Sequence, residues 1–150
     1  MILRKATFDD VEGIFTLVNS YADQGLMLPR SRNALYETLR DFVLAVDGEK
    51  IVGAGALHLV WDGLAEIRAM AVAFEYKRQG IGLAIVDKLT EEALVVGVKT
   101  LFALTYQPAF FAKAGFHEVP KETLSQKVWK DCINCAKFPN CDEIAMIKAL

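Results

Sequence analysis

Residues 75–82, EYKRQGIG, combine two glycines with side chains that donate hydrogen bonds. Gly80 and Gly82 stand two positions apart, and an apolar segment with helical periodicity follows them. The donors that precede them are Lys77, Arg78 and Gln79. The first N–H groups of a helix have no partner inside the helix, and the helix dipole makes that end positive. Because glycine lets a ligand approach the backbone closely, this turn predicts an anion site, and phosphate is the typical occupant.

Charged side chains at two other places could take part in chemistry. Glu66 and Arg68 stand two residues apart in a predicted strand, so they share a face and can form an ion pair. Arg30 and Arg32 form a basic pair at the end of the loop that starts at residue 22. Guanidinium groups bind carboxylates through paired hydrogen bonds, so each arginine is a candidate carboxylate ligand.

Cys132, Cys135 and Cys141 form a C-x₂-C-x₅-C array near the end of the sequence. Three thiolates with a nearby acid or histidine could bind zinc, and the spacing of the first pair fits such a site. A fourth cysteine is missing from the array, which counts against zinc. We therefore expect reduced thiols in a loop that folds over the pocket, and no metal.

These residues need a scaffold, and the periodicity predicts an α+β domain with a mixed sheet covered by helices. Thr7 and Asp10 resemble a capping box before a first helix, and Ser31 is the expected cap of a second. Two further helices are predicted at residues 80–96 and 108–115, ending at Gly97 and Gly115. The predicted strands are residues 2–6, 42–46, 51–60, 64–72, 100–105, 116–119 and 143–150.

Length and composition favour one ordinary globular domain over residues 1–150. The 53% hydrophobic and 24% charged residues are typical of such a domain. The net charge of −2 gives no reason to expect a nucleic-acid partner, and no apolar run approaches the roughly 20 residues that span a bilayer. An N-terminus that soon turns acidic and an odd number of cysteines predict a cytoplasmic protein with reduced thiols.

Two motifs in this order resemble the GNAT acetyltransferase superfamily. The acyl-CoA motif Gln/Arg-x-x-Gly-x-Gly/Ala is matched by residues 77–82, KRQGIG, with lysine in the first place. The second motif, a short helix ending in Lys-x-Gly-Phe, is matched by residues 110–116, FFAKAGF. The resemblance covers essentially the whole chain. It implies the GNAT fold, with a central, mostly antiparallel twisted sheet of six to seven strands and about four helices.

Three segments resemble the short, single-domain N-acetylglutamate synthases more narrowly: residues 27–42, 104–116 and 127–146. This resemblance implies a function in arginine biosynthesis, with acetyl-CoA as cosubstrate and glutamate, or a close analogue such as glutamine, as the amine acceptor. Periodicity and spacing do not themselves predict that acceptor.

The family resemblance also implies where the cosubstrate binds. Backbone N–H groups of the central strand would hold the pantetheine arm and polarise the acetyl carbonyl. The residues implied for the cosubstrate are Met70, Ala71, Val72, Lys77, Arg78, Gln79, Gly80, Ile81, Gly82 and Phe111.

Two residues are predicted to move protons. Glu66 stands where a branch of the superfamily places its base, and the alternative for it is an ion pair with Arg68. The general acid of the superfamily is a tyrosine, but this chain has Phe111 at that position. Tyr106 is the candidate replacement; otherwise Tyr106 is a wall residue and water protonates the thiolate.

A dicarboxylate acceptor would need cations. Arg30 and Arg68 are the first candidates, Arg32 follows them, and Lys127 is a further one. Two alternatives stay open beside glutamate acetylation: acetylation of another small amine or a peptide amine, and an acyl-CoA sensor without catalysis. The sequence leaves the oligomeric state open, and a homodimer through a sheet edge or the tail is compatible with it.

Overall fold

The computed structural model describes residues 1–124 and 142–150, and its helices and strands follow the predicted order. The α-helices are α1 (Val11–Ala22), α2 (Arg32–Glu37), α3 (Ile81–Val96) and α4 (Pro108–Lys113). The strands are β1 (Ile2–Lys5), β2 (Phe42–Asp47), β3 (Lys50–Trp61), β4 (Leu64–Val72), β5 (Thr100–Thr105), β6 (His117–Val119) and β7 (Ile144–Ala149). None of the helices in these described ranges is long and apolar enough to cross a membrane.

The helix boundaries follow from local chemistry that the sequence predicted. The Asp10 carboxylate accepts hydrogen bonds from the N–H and the hydroxyl of Thr7, at 2.7 and 3.1 Å, before α1 begins. The hydroxyl of Ser31 accepts from the N–H of Ala34 at 3.1 Å and caps α2. Gly97, in the left-handed conformation, ends α3. These caps confirm the predicted starts of the first two helices and the predicted end of α3.

The seven described strands form one mixed sheet in the order β1-β2-β3-β4-β5-β7-β6. Every neighbouring pair is antiparallel except β4 and β5, which are parallel. That parallel pairing involves only Leu64–Glu66 of β4 and Thr100–Phe102 of β5. Among the described strands, the rest of β4 therefore has no partner on its β5 side.

Helices cover both faces of the sheet, and a register shift in β3 separates the two contacts. Ile51 of β3 packs against Gly13 of α1, whereas Gly53 packs against Ile81 and Ile85 of α3. A Cβ at Gly53 would lie 2.9 Å from both isoleucine side chains, so only glycine allows α3 to approach β3 this closely. This close packing fixes the N-terminal end of α3 beside the far end of β4.

Candidate active site

A cavity of about 1230 Å³ opens where β4 and β5 separate. One wall is the second half of β4, the opposite wall is the end of β5 with α4, and the N-terminal turn of α3 closes one end. The loop between α1 and α2 and the start of β7 contribute at the other end. Its shape therefore suits an elongated ligand that lies along the exposed edge of β4.

The glycine turn forms the α3 end of this cavity, and its two glycines have different structural reasons. Gly80 is the N-cap of α3 with φ +78°, a left-handed conformation that glycine adopts without strain. Gly82 is needed for packing, because a Cβ there would lie 2.7 Å from Cε1 of Phe110. The first intrahelical hydrogen bond joins the N–H of Ala84 to Gly80 at 3.0 Å. The N–H groups of residues 81–83 precede that bond and are suited to an anion.

The basic side chains of this turn occupy separate positions. Lys77 places its Nζ 4.2 Å from the ring centroid of Phe74 and 5.2 Å from that of Tyr21. Arg78 is exposed and also lines the cavity, with φ +65°, which is unusual for a residue with a side chain. Gln79 is exposed and is not among the described residues that line the cavity. Lys77 and Arg78 thus bring positive charge to the anion end, and Gln79 does not line it.

The central strand is distorted where the cavity begins. Ala56 pairs with Arg68 and Ala54 with Ala71, so two residues of β4 lie opposite Gly55. Ala69, inside this bulge, has φ +55°. The side chain of Met70 packs so closely on Gly55 that no side chain could be accommodated there. A bulge re-aims the strand, and here it does so at the predicted cosubstrate contacts.

Val72, the last of those predicted contacts, already has a partner. Its N–H donates to the hydroxyl of Tyr21 at 3.1 Å, and its carbonyl accepts from the same hydroxyl at 2.7 Å. Met70, Ala71 and Val72 all line the cavity as predicted. Because the Val72 N–H already donates to the Tyr21 hydroxyl, it could contact the cosubstrate directly only if that hydrogen bond were broken.

Glu66 and Arg68 lie on the cavity side of β4 and form an ion pair. Nε of Arg68 donates to Oε1 of Glu66 at 2.5 Å, and the two side chains are 18% and 12% exposed respectively. Both line the cavity. The ion pair that two-residue spacing predicts is thus present, inside the cavity where an acid–base role also requires Glu66.

Arg30 enters the same end of the cavity from the loop after α1. Asn19 fixes its backbone, because the side-chain amide of Asn19 accepts from the N–H of Arg30 and donates to its carbonyl, each at 3.1 Å. Nε of Arg30 is buried and has no hydrogen-bond partner among the described residues. Burial lowers the pKa of Arg30, and the neighbouring Arg68 lowers it further. Such a desolvated guanidinium is suited to a ligand carboxylate.

Three acidic side chains act on Arg30 in the opposite direction. Glu66, Asp41 and Glu143 each raise the pKa of Arg30, although burial outweighs them. Glu143, at the start of the last strand, also lines the cavity, and the sequence interpretation did not include it. The end of the cavity that Arg30 enters therefore contains both positively and negatively charged side chains.

Arg32 lies elsewhere. Its Nε donates to Oε1 of Glu12 at 2.6 Å, and its guanidinium carbon lies 4.0 Å from the ring centroid of Phe15. The Arg32 and Glu12 side chains are both more than half exposed, and Arg32 is not among the described cavity residues. Of the basic pair, only Arg30 reaches the cavity.

The two aromatic candidates are also separated. Phe111 is buried, packs edge-on against Phe110 and Phe116, and lines the cavity as predicted. Tyr106 donates its hydroxyl to Asp142 at 2.6 Å and is not among the described residues that line the cavity. Tyr106 as proton donor thus stays a prediction, and it does not contact the cavity directly.

The remaining candidates fall in the segment 125–141, outside the described residues. Lys127 and the three cysteines belong to that segment, so their predicted roles stay predictions. In residues 1–124 and 142–150, no group of three or more histidine, cysteine or acidic side chains could hold a metal ion.

Comparison with known proteins identifies the family. A model described as the acetyltransferase (GNAT) family matches residues 8–117. This chain belongs to the GNAT acetyltransferase family. The predicted family, fold and acetyl-CoA cosubstrate are confirmed.

Curated relatives of this GNAT acetyltransferase include two of comparable length. An uncharacterized N-acetyltransferase of Chlorobaculum tepidum is 39% identical over 148 residues, covering 99% of this chain and 96% of the relative. The amino-acid acetyltransferase of Mycobacterium tuberculosis is 36% identical over 133 residues, covering 87% of this chain and 76% of the relative.

Solved structures agree with the fold of this GNAT acetyltransferase. A Mycobacterium tuberculosis protein in complex with CoA has a TM-score of 0.84 at 32% identity, with 100% of this chain and 99% of that chain covered. N-acetylglutamate synthase from Neisseria gonorrhoeae, complexed with coenzyme A and N-acetyl-glutamate, has a TM-score of 0.90 at 24% identity. That match covers 99% of this chain but 35% of the other, and it supports the fold alone.

Proposed function

We propose that this protein transfers the acetyl group of acetyl-CoA to the α-amino group of an amino acid, and that the acceptor is L-glutamate. The observation that carries the proposal is Arg30, whose buried Nε has no hydrogen-bond partner among the described residues, in the same cavity as Glu66. Relatives named amino-acid acetyltransferases support the amino-acid acceptor. The choice of glutamate among the amino acids rests on two cations in the cavity, Arg30 and Arg68.

The cosubstrate would lie along the cavity with its phosphates at α3. The free N–H groups at residues 81–83 face that end, and Lys77 and Arg78 add positive charge there. The pantetheine arm would follow the unpaired edge of β4 and bring the thioester to the bulge at Ala69. The backbone N–H of Met70 would then polarise the acetyl carbonyl, whereas the register places the N–H of Ala71 towards Ala54 of β3.

The acceptor would enter from the opposite end, between β4 and the loop after α1. Arg30, which lines the cavity, would bind one carboxylate of glutamate through charge-assisted hydrogen bonds from its guanidinium group. Arg68, whose Nε donates to Glu66, is the proposed cation for the second carboxylate. Lys127 is the further candidate, in the segment outside the described residues.

Glu66 would act as the general base. An amino acid carries an ammonium group at neutral pH, and one proton must leave before the nitrogen can attack. Oε1 of Glu66 accepts from Arg68, and Oε2 has no hydrogen-bond partner among the described residues. That oxygen can take the proton directly or through one water.

The free amine then attacks the acetyl carbonyl carbon, forming the new C–N bond as the C–S bond breaks, and the nitrogen releases its second proton to water. The sulfur leaves as a thiolate, and a proton from water, or from Tyr106, converts it to the thiol of CoA. Because Tyr106 is not among the described cavity residues, water is the more direct donor in this geometry. Alignment of the two reactants in one cavity would itself lower the barrier by several kcal/mol.

The test is thiol release from acetyl-CoA with each of the twenty amino acids as acceptor. We expect the highest kcat/KM for glutamate and a value about tenfold to a hundredfold lower for glutamine, because glutamine lacks one charged pair. Equal values would mean that charge recognises only the α-carboxylate. Thiol release with an unrelated amine alone would overturn the glutamate proposal, and CoA binding without any acceptor would favour a sensor.

A further inference from the structure

Tyr21 takes the place of a strand partner at a point where none of the described strands pairs with the β5 side of β4. Val72 is the last residue of β4, six positions beyond the last residue that pairs with β5. The Tyr21 hydroxyl donates to the Val72 carbonyl at 2.7 Å and accepts from the Val72 N–H at 3.1 Å. One side-chain oxygen from α1 thus replaces both hydrogen bonds that a neighbouring strand would make.

The position of this hydroxyl is fixed by the packing of its ring. Tyr21 is only 3% exposed. Its ring stacks on that of Phe74, with centroids 5.4 Å apart and planes 13° from parallel, and Nζ of Lys77 lies 5.2 Å from the Tyr21 centroid. A ring held in this way keeps its hydroxyl on Val72 when a ligand enters the cavity. The hydroxyl is therefore part of the cavity wall.

This arrangement changes what the wall offers to a ligand. A phenol oxygen has one hydrogen to donate and two lone pairs that can accept. The hydrogen is used on the Val72 carbonyl and one lone pair on the Val72 N–H, so one lone pair is left. A ligand at this place meets a single acceptor oxygen, where the bare strand would have presented both the N–H donor and the carbonyl acceptor of Val72.

We propose that Tyr21 is a cosubstrate-binding residue whose hydroxyl accepts a hydrogen bond from an amide N–H of the pantetheine arm. The inference rests on the proposed function for the placement of acetyl-CoA along β4. The pantetheine arm contains amide N–H groups, and Tyr21 lines the cavity in which that arm would lie. Tyr21 contacts Val72 and stacks on the same ring that Lys77 covers, so it also joins the pantetheine and phosphate ends of the site.

Tyr21→Phe tests the proposal, because it keeps the stacked ring and removes the hydroxyl. We expect calorimetry to show CoA binding weakened about three- to tenfold, which corresponds to one hydrogen bond. Binding of the pantetheine-free nucleotide half of CoA should be unchanged. Tyr36→Phe is the matched control, since Tyr36 is half exposed, packs against the ring of Phe8 and is not among the described residues that line the cavity; the affinity of this variant for CoA should stay at the wild-type value.

Each outcome decides the question. Unchanged or tighter CoA binding by Tyr21→Phe would overturn the proposal, and tighter binding would show that the hydroxyl competes with the ligand for Val72. Equal weakening for CoA and its nucleotide half would also overturn it, because general damage to the cavity would explain both. A wild-type protein that binds CoA but acetylates no amino acid would contradict the proposed function and leave the role of Tyr21 testable.

Discussion

Arg68 and Glu66 lie side by side on the cavity face of β4, with Nε of Arg68 2.5 Å from Oε1 of Glu66. The pair is largely buried, so solvent screens it less than an exposed pair. Removal of either partner would leave a largely buried charge without its counter-charge, which is costly. A substitution of Glu66, the proposed base, therefore also affects Arg68, the proposed carboxylate ligand. Substitutions that keep the shape of the side chain test these roles with the least disturbance of the partner.

Glu66→Gln should lower kcat by about 10²–10⁴, the range for a lost general base. The amide keeps an oxygen that can accept from Arg68, so the change removes the charge with little change of shape. The deficit should shrink as the pH rises, because free amine accumulates without the base. Steady-state kinetics across pH will measure both effects.

The matched control is Glu12→Gln, which alters an exposed glutamate paired with Arg32 at 2.6 Å outside the cavity. It should leave kcat unchanged. A Glu66→Gln enzyme with the wild-type rate at neutral pH would remove Glu66 from the mechanism and leave it as the partner of Arg68.

Arg30→Met should raise the KM for glutamate about tenfold to a hundredfold, because one charge-assisted contact to a carboxylate is lost. The affinity for acetyl-CoA, measured by calorimetry, should not change, since the phosphates bind at the opposite end of the cavity. Arg32→Met on the same loop is the control, because Arg32 pairs with Glu12 outside the cavity. Equal effects of the two substitutions on KM would contradict the assignment of Arg30.

Gly82→Val should weaken CoA binding and lower the Tm, because a Cβ there would lie 2.7 Å from Cε1 of Phe110 and the branched side chain would crowd the first N–H groups of α3. The two effects can be separated by adding Phe110→Leu, which removes the ring atoms that the Cβ meets. We expect the double variant to recover much of the lost Tm while CoA binding stays weak, because the branched valine side chain still crowds the N–H groups of the turn. Recovery of both would show that Gly82 serves packing alone.

The pair Arg4–Asp10 should make stability fall in acid. Two hydrogen bonds from the Arg4 guanidinium, at 2.8 and 2.9 Å, and those from Thr7 lower the pKa of Asp10 from 3.8 to about 2. Because the folded pKa is below the unfolded one, this stabilisation is complete above about pH 4 and is lost as the pH falls towards about 2. The loss should be about 2 kcal/mol.

Urea unfolding of wild type and Asp10→Asn at about pH 6 and about pH 2.5 will check this. The variant should be less stable at the higher pH, and the difference should narrow at the lower one. A difference that stays constant with pH would mean that the Asp10 carboxylate does not titrate as the geometry predicts.

The sequence predicted well whatever depends on backbone periodicity or on spacing within one element. The strands predicted at 42–46 and 64–72 are Phe42–Asp47 and Leu64–Val72, and the helix predicted at 80–96 begins one residue later, at Ile81. The same-face position of Glu66 and Arg68 also follows from a two-residue period. Such patterns are local, so they can be read without tertiary information.

Features that join distant segments were not predicted. Tyr21 stands at helical spacing from Ile14 and Val18, which indicates a core position but not the bond from its hydroxyl to Val72, 51 residues away. The two hydrogen bonds between the Asn19 side chain and the Arg30 backbone join the ends of a loop whose path the sequence does not define. Gly82 was interpreted as giving room for phosphate, whereas Phe110 of another helix also requires glycine there.

Because β4 and β5 pair over only three residues, the sheet consists of two parts with a short connection between them. One part contains β1 to β4 and the other contains β5 to β7. Among the described strands, the two parts are joined by the short ladder at Leu64–Glu66. A ligand in the cavity would contact both parts of the sheet, and it would bridge them where β4 and β5 are not hydrogen-bonded to each other. Ligand binding should therefore hold the two parts of the sheet together, and an empty cavity should leave them freer to move relative to each other.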